Sequence, residues 1–143
     1  MNALFIIGQV LAGLYFISSG ITHLTKLEAM TGYAKYKKLP AAKLGVVLSG
    51  LLMLIAGAFI LLGYYVDLAA IALAVFLVLA SIIFHNFWTI EDATAKMGDM
   101  VNFLKNIGLA GVLLMFAGFA ALAAKNGLDI GIVVSKAHAV LWK

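Results

Sequence analysis

Four long apolar stretches divide the chain, and its polar residues gather almost entirely between them. A helix that crosses a bilayer needs about 20 largely apolar residues. Residues 3–24, 44–66, 68–90 and 107–124 meet that requirement. Backbone groups in lipid must pair within their own segment, so each stretch predicts a helix and not an open strand. The second would run roughly 35 Å at 1.5 Å per residue. Its junction with the third, GYYVD, reads as an interfacial turn carrying Asp67 and two tyrosines. The fourth is short, and Asn102 to Asn106 is expected to extend its helix into the headgroups. Small residues four apart (Gly8 with Ala12, Gly45 with Ser49, Ala117 with Ala121) suit close helix contact. After Ala124 the sequence KNGLDIGIVVSKAHAVLWK is too short and too polar to span. It predicts a turn at Asn126-Gly127 and then a surface-lying piece anchored by Trp142. The expected fold is all-α: an integral membrane four-helix bundle with a short interfacial C-terminal segment, one domain over residues 1–143.

Composition agrees with this pattern. The chain has 143 residues, 65% of them hydrophobic and 11% charged, with a mean hydropathy of +1.12. A soluble domain carries about 25% charged residues, so water is not the main solvent. The net charge of +4 does not indicate nucleic acid, because every basic residue is a lysine and half of them lie between the first two apolar runs. Lysines beside a span set orientation and touch anionic lipid. With no cysteine, thiolate catalysis, iron–sulfur ligation and thiolate zinc sites are excluded. The first twenty residues lack the basic start of a signal peptide, so they read as a retained first span.

Four spans place both termini on one side. The 1–2 and 3–4 connections carry Lys26, Lys35, Lys37, Lys38, Lys43, Lys96 and Lys105, whereas the terminal side has Lys125, Lys136 and Lys143. The positive-inside rule then puts the connections in the cytoplasm and the termini outside a multi-pass cell (inner) membrane protein.

This topology makes neighbours of residues that are far apart in sequence. His23 closes span one. Ser81, His85 and Trp88 are spaced i, i+4, i+7 at the end of span three, which predicts one helical face. Asn102, Lys105 and Asn106 are expected to share a face at the start of span four, with Glu91, Asp92 and Asp99 between. Tyr33 and Tyr36, beside KYKKLP, would cap the same mouth. His85 can move a proton near neutral pH, Lys105 can hold an anion or developing oxyanion, and Asn106 can donate to a carbonyl. Trp88 can stack on a flat ring, although it also suits an interfacial belt. The set fits a quinone headgroup or a small polar substrate. Bis-His haem on His23 and His85 is disfavoured by their place at the water boundary, and no spacing matches a metal motif. Gln9, deep in span one, predicts an interhelical hydrogen bond.

Five segments carry a wider likeness: FISSGITHL at Phe16 to Leu24, GYAKYKKLP at Gly32 to Pro40, SGLLMLIAGAFILLG at Ser49 to Gly63, FHNFW at Phe84 to Trp88, and NFLKNIGLAG at Asn102 to Gly111. In these the chain resembles the DoxX family of small four-span membrane proteins, over nearly its whole length. Where that family places a basic residue after the first-span glycine, this chain has Thr22-His23 with Lys26 nearby. The resemblance implies a membrane-embedded four-helix bundle and a link to oxidoreductases, thiosulfate:quinone oxidoreductase being the archaeal example. Distant relatives that act as chaperones or cargo receptors mean that fold alone does not make an enzyme.

Two functions are therefore expected. One is a component of a membrane oxidoreductase system acting on a quinone-like or small oxidisable compound, with His85 and Lys105 catalytic and with Trp88, Asn106, Asn102, His23 and Tyr33 binding. A substrate quinone or a partner redox subunit would carry the electrons. The other is a non-catalytic assembly factor or binding subunit. The bilayer is the common partner, and a homo-oligomer is compatible with either.

Overall fold

A computed structural model describes residues 2–128 and 130–141. Five α-helices follow in order: α1 (Asn2–Thr25), α2 (Leu27–Tyr36), α3 (Ala42–Leu62), α4 (Val66–Phe84) and α5 (Ala93–Lys125). Single 3-10 turns lie at Phe87–Thr89 and Lys136–His138, and the described residues contain no strand. Four helices (α1, α3, α4 and α5) are long and apolar enough to cross a membrane. The packing is that of a chain solvated by lipid. Leu4 and Met115 are 76% and 75% exposed, which water would not tolerate over so many positions. The core joins all four spans through Phe16 of α1, Ile60 of α3, Leu73 of α4 and Leu113 of α5.

The helices pair as α1 with α3 and α4 with α5. Glycines make the first pairing close. A Cβ on Gly20 would lie 2.7 Å from the Gly50 carbonyl oxygen, and one on Gly57 would lie 3.0 Å from that of Gly13. The close approach expected at Gly8 is absent, since that glycine faces open space. The seam instead repeats every seven residues on each helix, at Gly13 and Gly20 against Gly57 and Gly50.

Three elements differ from the expected bounds. The first connection contains α2, whose Leu27, Met30 and Ala34 share a face and pack with Leu39, Ala42, Val46 and Phe84. The third span stops at Phe84, where the His85 amide makes the last helical bond, to Ser81. Trp88 sits in the following 3-10 turn, so Ser81, His85 and Trp88 do not share one helical face. The fourth span starts at Ala93, well before residue 107, because the Asp92 carboxylate caps it by accepting from the Ala95 amide at 2.8 Å. Its 33 residues run roughly 50 Å, against about 30 Å of hydrocarbon. Its first turns therefore rise beyond the bilayer core on the side of His85.

At the other end, the tail after Asn126 is bonded to the bundle and does not simply lie on its surface. Gln9 Nε2 donates to the carbonyls of Ile60 (2.8 Å) and Ile132 (2.9 Å), and its Oε1 accepts from the Ile132 amide at 2.7 Å. This is the interhelical role expected of Gln9, extended to the tail. Asp67, 1% exposed, accepts from the Leu141 amide through both carboxylate oxygens, at 2.9 Å each. Gly63, at φ +66, ends α3 with Tyr64 bonded back to Phe59, and a Cβ there would overlap the Ile132 carbonyl. Trp142, expected to anchor this segment, lies outside the described residues.

Candidate functional site

A cavity of about 480 Å³ lies between α3 and α4, with α1 and α2 closing it and α5 reaching its inner end. That volume falls within the range of small-molecule sites, about 300–1,000 Å³. Its outer rim includes Tyr15, Leu48, Leu79 and Ile83, all facing the lipid side. Polar groups collect at the opposite end: Ser19, His23, Tyr33, Ser49, His85 and Asn106. The cavity is therefore amphipathic, apolar toward the bilayer and polar toward the lysine-rich end.

Helix register explains which residues of α5 arrive. Asn106 is 8% exposed, and its side-chain amide makes no hydrogen bond to a described residue. Thr31 Oγ1 is the one fully covered side-chain polar atom without a partner among the described residues, so the Asn106 amide keeps access to the cavity and can offer a ligand there both a donor and an acceptor. Lys105 is one position earlier, about 100° around the helix. It is exposed and donates to Asn102 Oδ1 at 3.1 Å, so neither Lys105 nor Asn102 lines the cavity. Of the three residues expected to share a face, Asn102 and Lys105 meet as an i, i+3 pair outside the cavity, and Asn106 alone reaches it.

The cation beside His85 is Lys37, reached through Asp99. Lys37 Nζ donates to Asp99 Oδ2 at 2.9 Å and to Asn86 Oδ1 at 3.2 Å. Asp99 Oδ1 faces His85 Nδ1 at 3.4 Å. One carboxylate thus ties the end of α2, the cap of α4 and the first turns of α5 together. A carboxylate opposite Nδ1 favours the proton there and leaves Nε2 as an acceptor. His23 is held in the same sense, its Nδ1 3.0 Å from the Ser19 carbonyl.

Tyr33 contributes its hydroxyl, which donates to the Phe84 carbonyl at 3.2 Å, and its ring, which stacks on Phe84 at 6.0 Å. Partial burial, aided by Asp99 and opposed by Lys37, holds its phenol above the usual value, so it stays a donor at neutral pH. Trp88 stands apart, 53% exposed, edge-on to Phe87 and Phe103 at 5.3 and 5.7 Å. Of the seven expected site residues, the cavity brings together His23, Tyr33, His85 and Asn106; Trp88, Asn102 and Lys105 lie outside it. Lys37 and Asp99 were not among those expected. Their signal was Asp99 standing seven residues before Asn106, hence on the same face of one helix. Among the described residues, no group of three His, Asp or Glu side chains is placed to hold a metal ion.

Comparison with known proteins agrees with this architecture. The DoxX family model matches residues 4–86, that is α1 to α4 and the first residues after them. The match is shorter than the near-full-length resemblance and stops before NFLKNIGLAG. No curated protein and no solved structure matches the chain.

Proposed function

The chain belongs to the DoxX family, and from that premise we propose that it is a component of a membrane oxidoreductase system that binds a quinone-like compound in the cavity between α3 and α4. The observation that carries this reading is the Asn106 amide, which lines the polar end of a cavity that opens among lipid-facing side chains and has no hydrogen-bond partner among the described residues. A ring bearing carbonyls, with an apolar substituent, matches both ends. It would enter sideways from the bilayer past Leu48 and Leu79 and present an oxygen to Asn106. Reduction of a quinone to a quinol takes two electrons and two protons. The electrons come from a reduced co-substrate, which is oxidised in turn, or from a partner redox subunit. His85 takes up a proton at Nε2, as an imidazolium that Asp99 stabilises, and passes it to the reduced ring oxygen. His23 is the second proton-handling group, and Lys105, outside the cavity, takes no direct part. The lysine-rich end faces the cytoplasm, and both termini lie outside.

The test is equilibrium binding of a soluble quinone analogue to the protein in detergent, for wild type and for His85→Ala and Asn106→Ala. Each variant is expected to weaken binding about tenfold, because a hydrogen bond to a buried polar group is worth about 1–2 kcal/mol. Equal binding by all three proteins overturns the proposal.

A second reading, a non-catalytic assembly factor or binding subunit, is favoured by the emergent part of α5. Met97, Val101 and Leu104 are each more than half exposed there, beside Trp88. Stable co-purification of a membrane partner through this face, with no quinone binding, would select it.

A further inference from the structure

We propose that the outer side of α2 forms a second binding site, for the phosphate oxyanion of an anionic phospholipid headgroup. An open basin of about 820 Å³ lies where the end of α1, α2 and the start of α3 converge, away from the cavity. Lys26, Lys35 and Lys43 line it, with Glu28 as its single carboxylate. These lysines come from the α1–α2 junction, from α2 and from the first turn of α3, so three separate backbone elements bring a lysine to one concavity. All three are exposed, and none has an ion-pair partner among the described residues, where Asp99 takes both ion pairs.

A second observation points to a ligand. Thr31, on the same wall, is 9% exposed, and its hydroxyl is buried without a hydrogen-bond partner. An unmet hydroxyl in the wall of a basin lined by three lysines and one carboxylate suits an oxyanion with several acceptor oxygens. The basin lies at the end of two spans, at the height where headgroups lie. The two faces of α2 divide the work: Met30, Tyr33 and Ala34 close the cavity, while Glu28, Thr31 and Lys35 line the basin. The second site is independent of what the cavity binds.

The experiment uses the full chain in nanodiscs, with retained lipid counted by native mass spectrometry. In mixed discs, wild type is expected to retain phosphatidylglycerol over phosphatidylcholine. Each of Lys26→Gln, Lys35→Gln and Lys43→Gln is expected to lower that preference about fivefold. Glu28→Gln raises it. The pair Lys38→Gln with Lys96→Gln removes twice the charge of any one basin variant from the same end, outside the basin, and leaves the preference unchanged. Helical circular dichroism confirms that each variant is folded. A second arm adds inorganic phosphate to discs of phosphatidylcholine alone. Phosphate binding at millimolar concentration, with the same lysine dependence, keeps the oxyanion site but overturns lipid as its occupant. Equal retention in wild type and all three basin variants, or an equal loss in the control pair, overturns the site itself.

Discussion

The ion pair between Lys37 and Asp99 should be the strongest polar link between α2 and the rest of the bundle. Its worth can be worked from geometry. At 2.9 Å and an effective dielectric constant near 20, the gross attraction is roughly 6 kcal/mol. Most of this is offset by desolvation of the two groups. Their side chains keep only 11% and 16% of their exposure, so the pair should exceed the 0.2–1 kcal/mol typical of surface pairs. A coupling of about 2 kcal/mol is expected. The perturbation is a double-mutant cycle of Lys37→Met, Asp99→Asn and both, read by equilibrium unfolding in mixed detergent micelles. Asp99→Asn alone should be the costlier single change, about 3 kcal/mol, because it strands a covered ammonium. Lys37→Met should cost about 2 kcal/mol, since His85 can still supply a counter-charge when protonated. Additivity of the two changes to within about 0.5 kcal/mol would refute the link, and with it the account of how α2 is held over the cavity.

Two further outcomes follow from the packing. Gly20→Ala should lower stability by about 1–3 kcal/mol, because its Cβ would lie 2.7 Å from the Gly50 carbonyl oxygen and from the Leu54 amide nitrogen. Gly8→Ala, with open space around it, should instead be neutral or gain up to about 1 kcal/mol from helix propensity; thermal denaturation in detergent reads both signs. Gln9→Leu should free the tail at a cost of about 2 kcal/mol, since it removes both bonds to Ile132 and the bond to Ile60. Limited proteolysis should then cut residues 128–141 faster than in wild type, and an unchanged rate would show that Asp67 and the backbone bonds from Leu62, Tyr65 and Val66 hold the tail without Gln9.

The spans were legible because length and apolarity alone specify a membrane helix, and these are read residue by residue. What was not legible depended on direction. Helix α2 has ten residues and a single apolar face, so in a hydropathy reading it looks like a polar connection. The end of α4 was overrun because Phe87 and Trp88 continue the apolar pattern after the backbone has already turned at His85. Asp92 looked like loop charge when it was a helix cap. Sequence placed seven lysines at one end but could not say which one approaches His85. Lys105 was favoured by its neighbour Asn106, yet adjacent residues on a helix point about 100° apart. Once Asn106 faces the cavity, Lys105 must turn away. The partner of Asp99 is 62 positions distant in sequence, and only the fold of α2 back over the mouth brings it there.

The extent of the family match sharpens where chemistry is to be sought. Residues 4–86 supply three spans, the covering helix α2, both imidazoles and Lys37. They leave the cavity without its buried amide and His85 without its carboxylate, because Asn106 and Asp99 belong to α5. Asp99 and Asn106 stand two turns apart on one face, so a single rotation of α5 places or removes both. The register of α5 therefore decides which of its polar groups face the cavity and His85. It is held from outside the cavity as well as inside, by Phe103 against Phe87 and Trp88 at 5.5 and 5.7 Å. The exposed aromatic cluster, which lies outside the cavity, thus bears on it by fixing the helix that completes its wall.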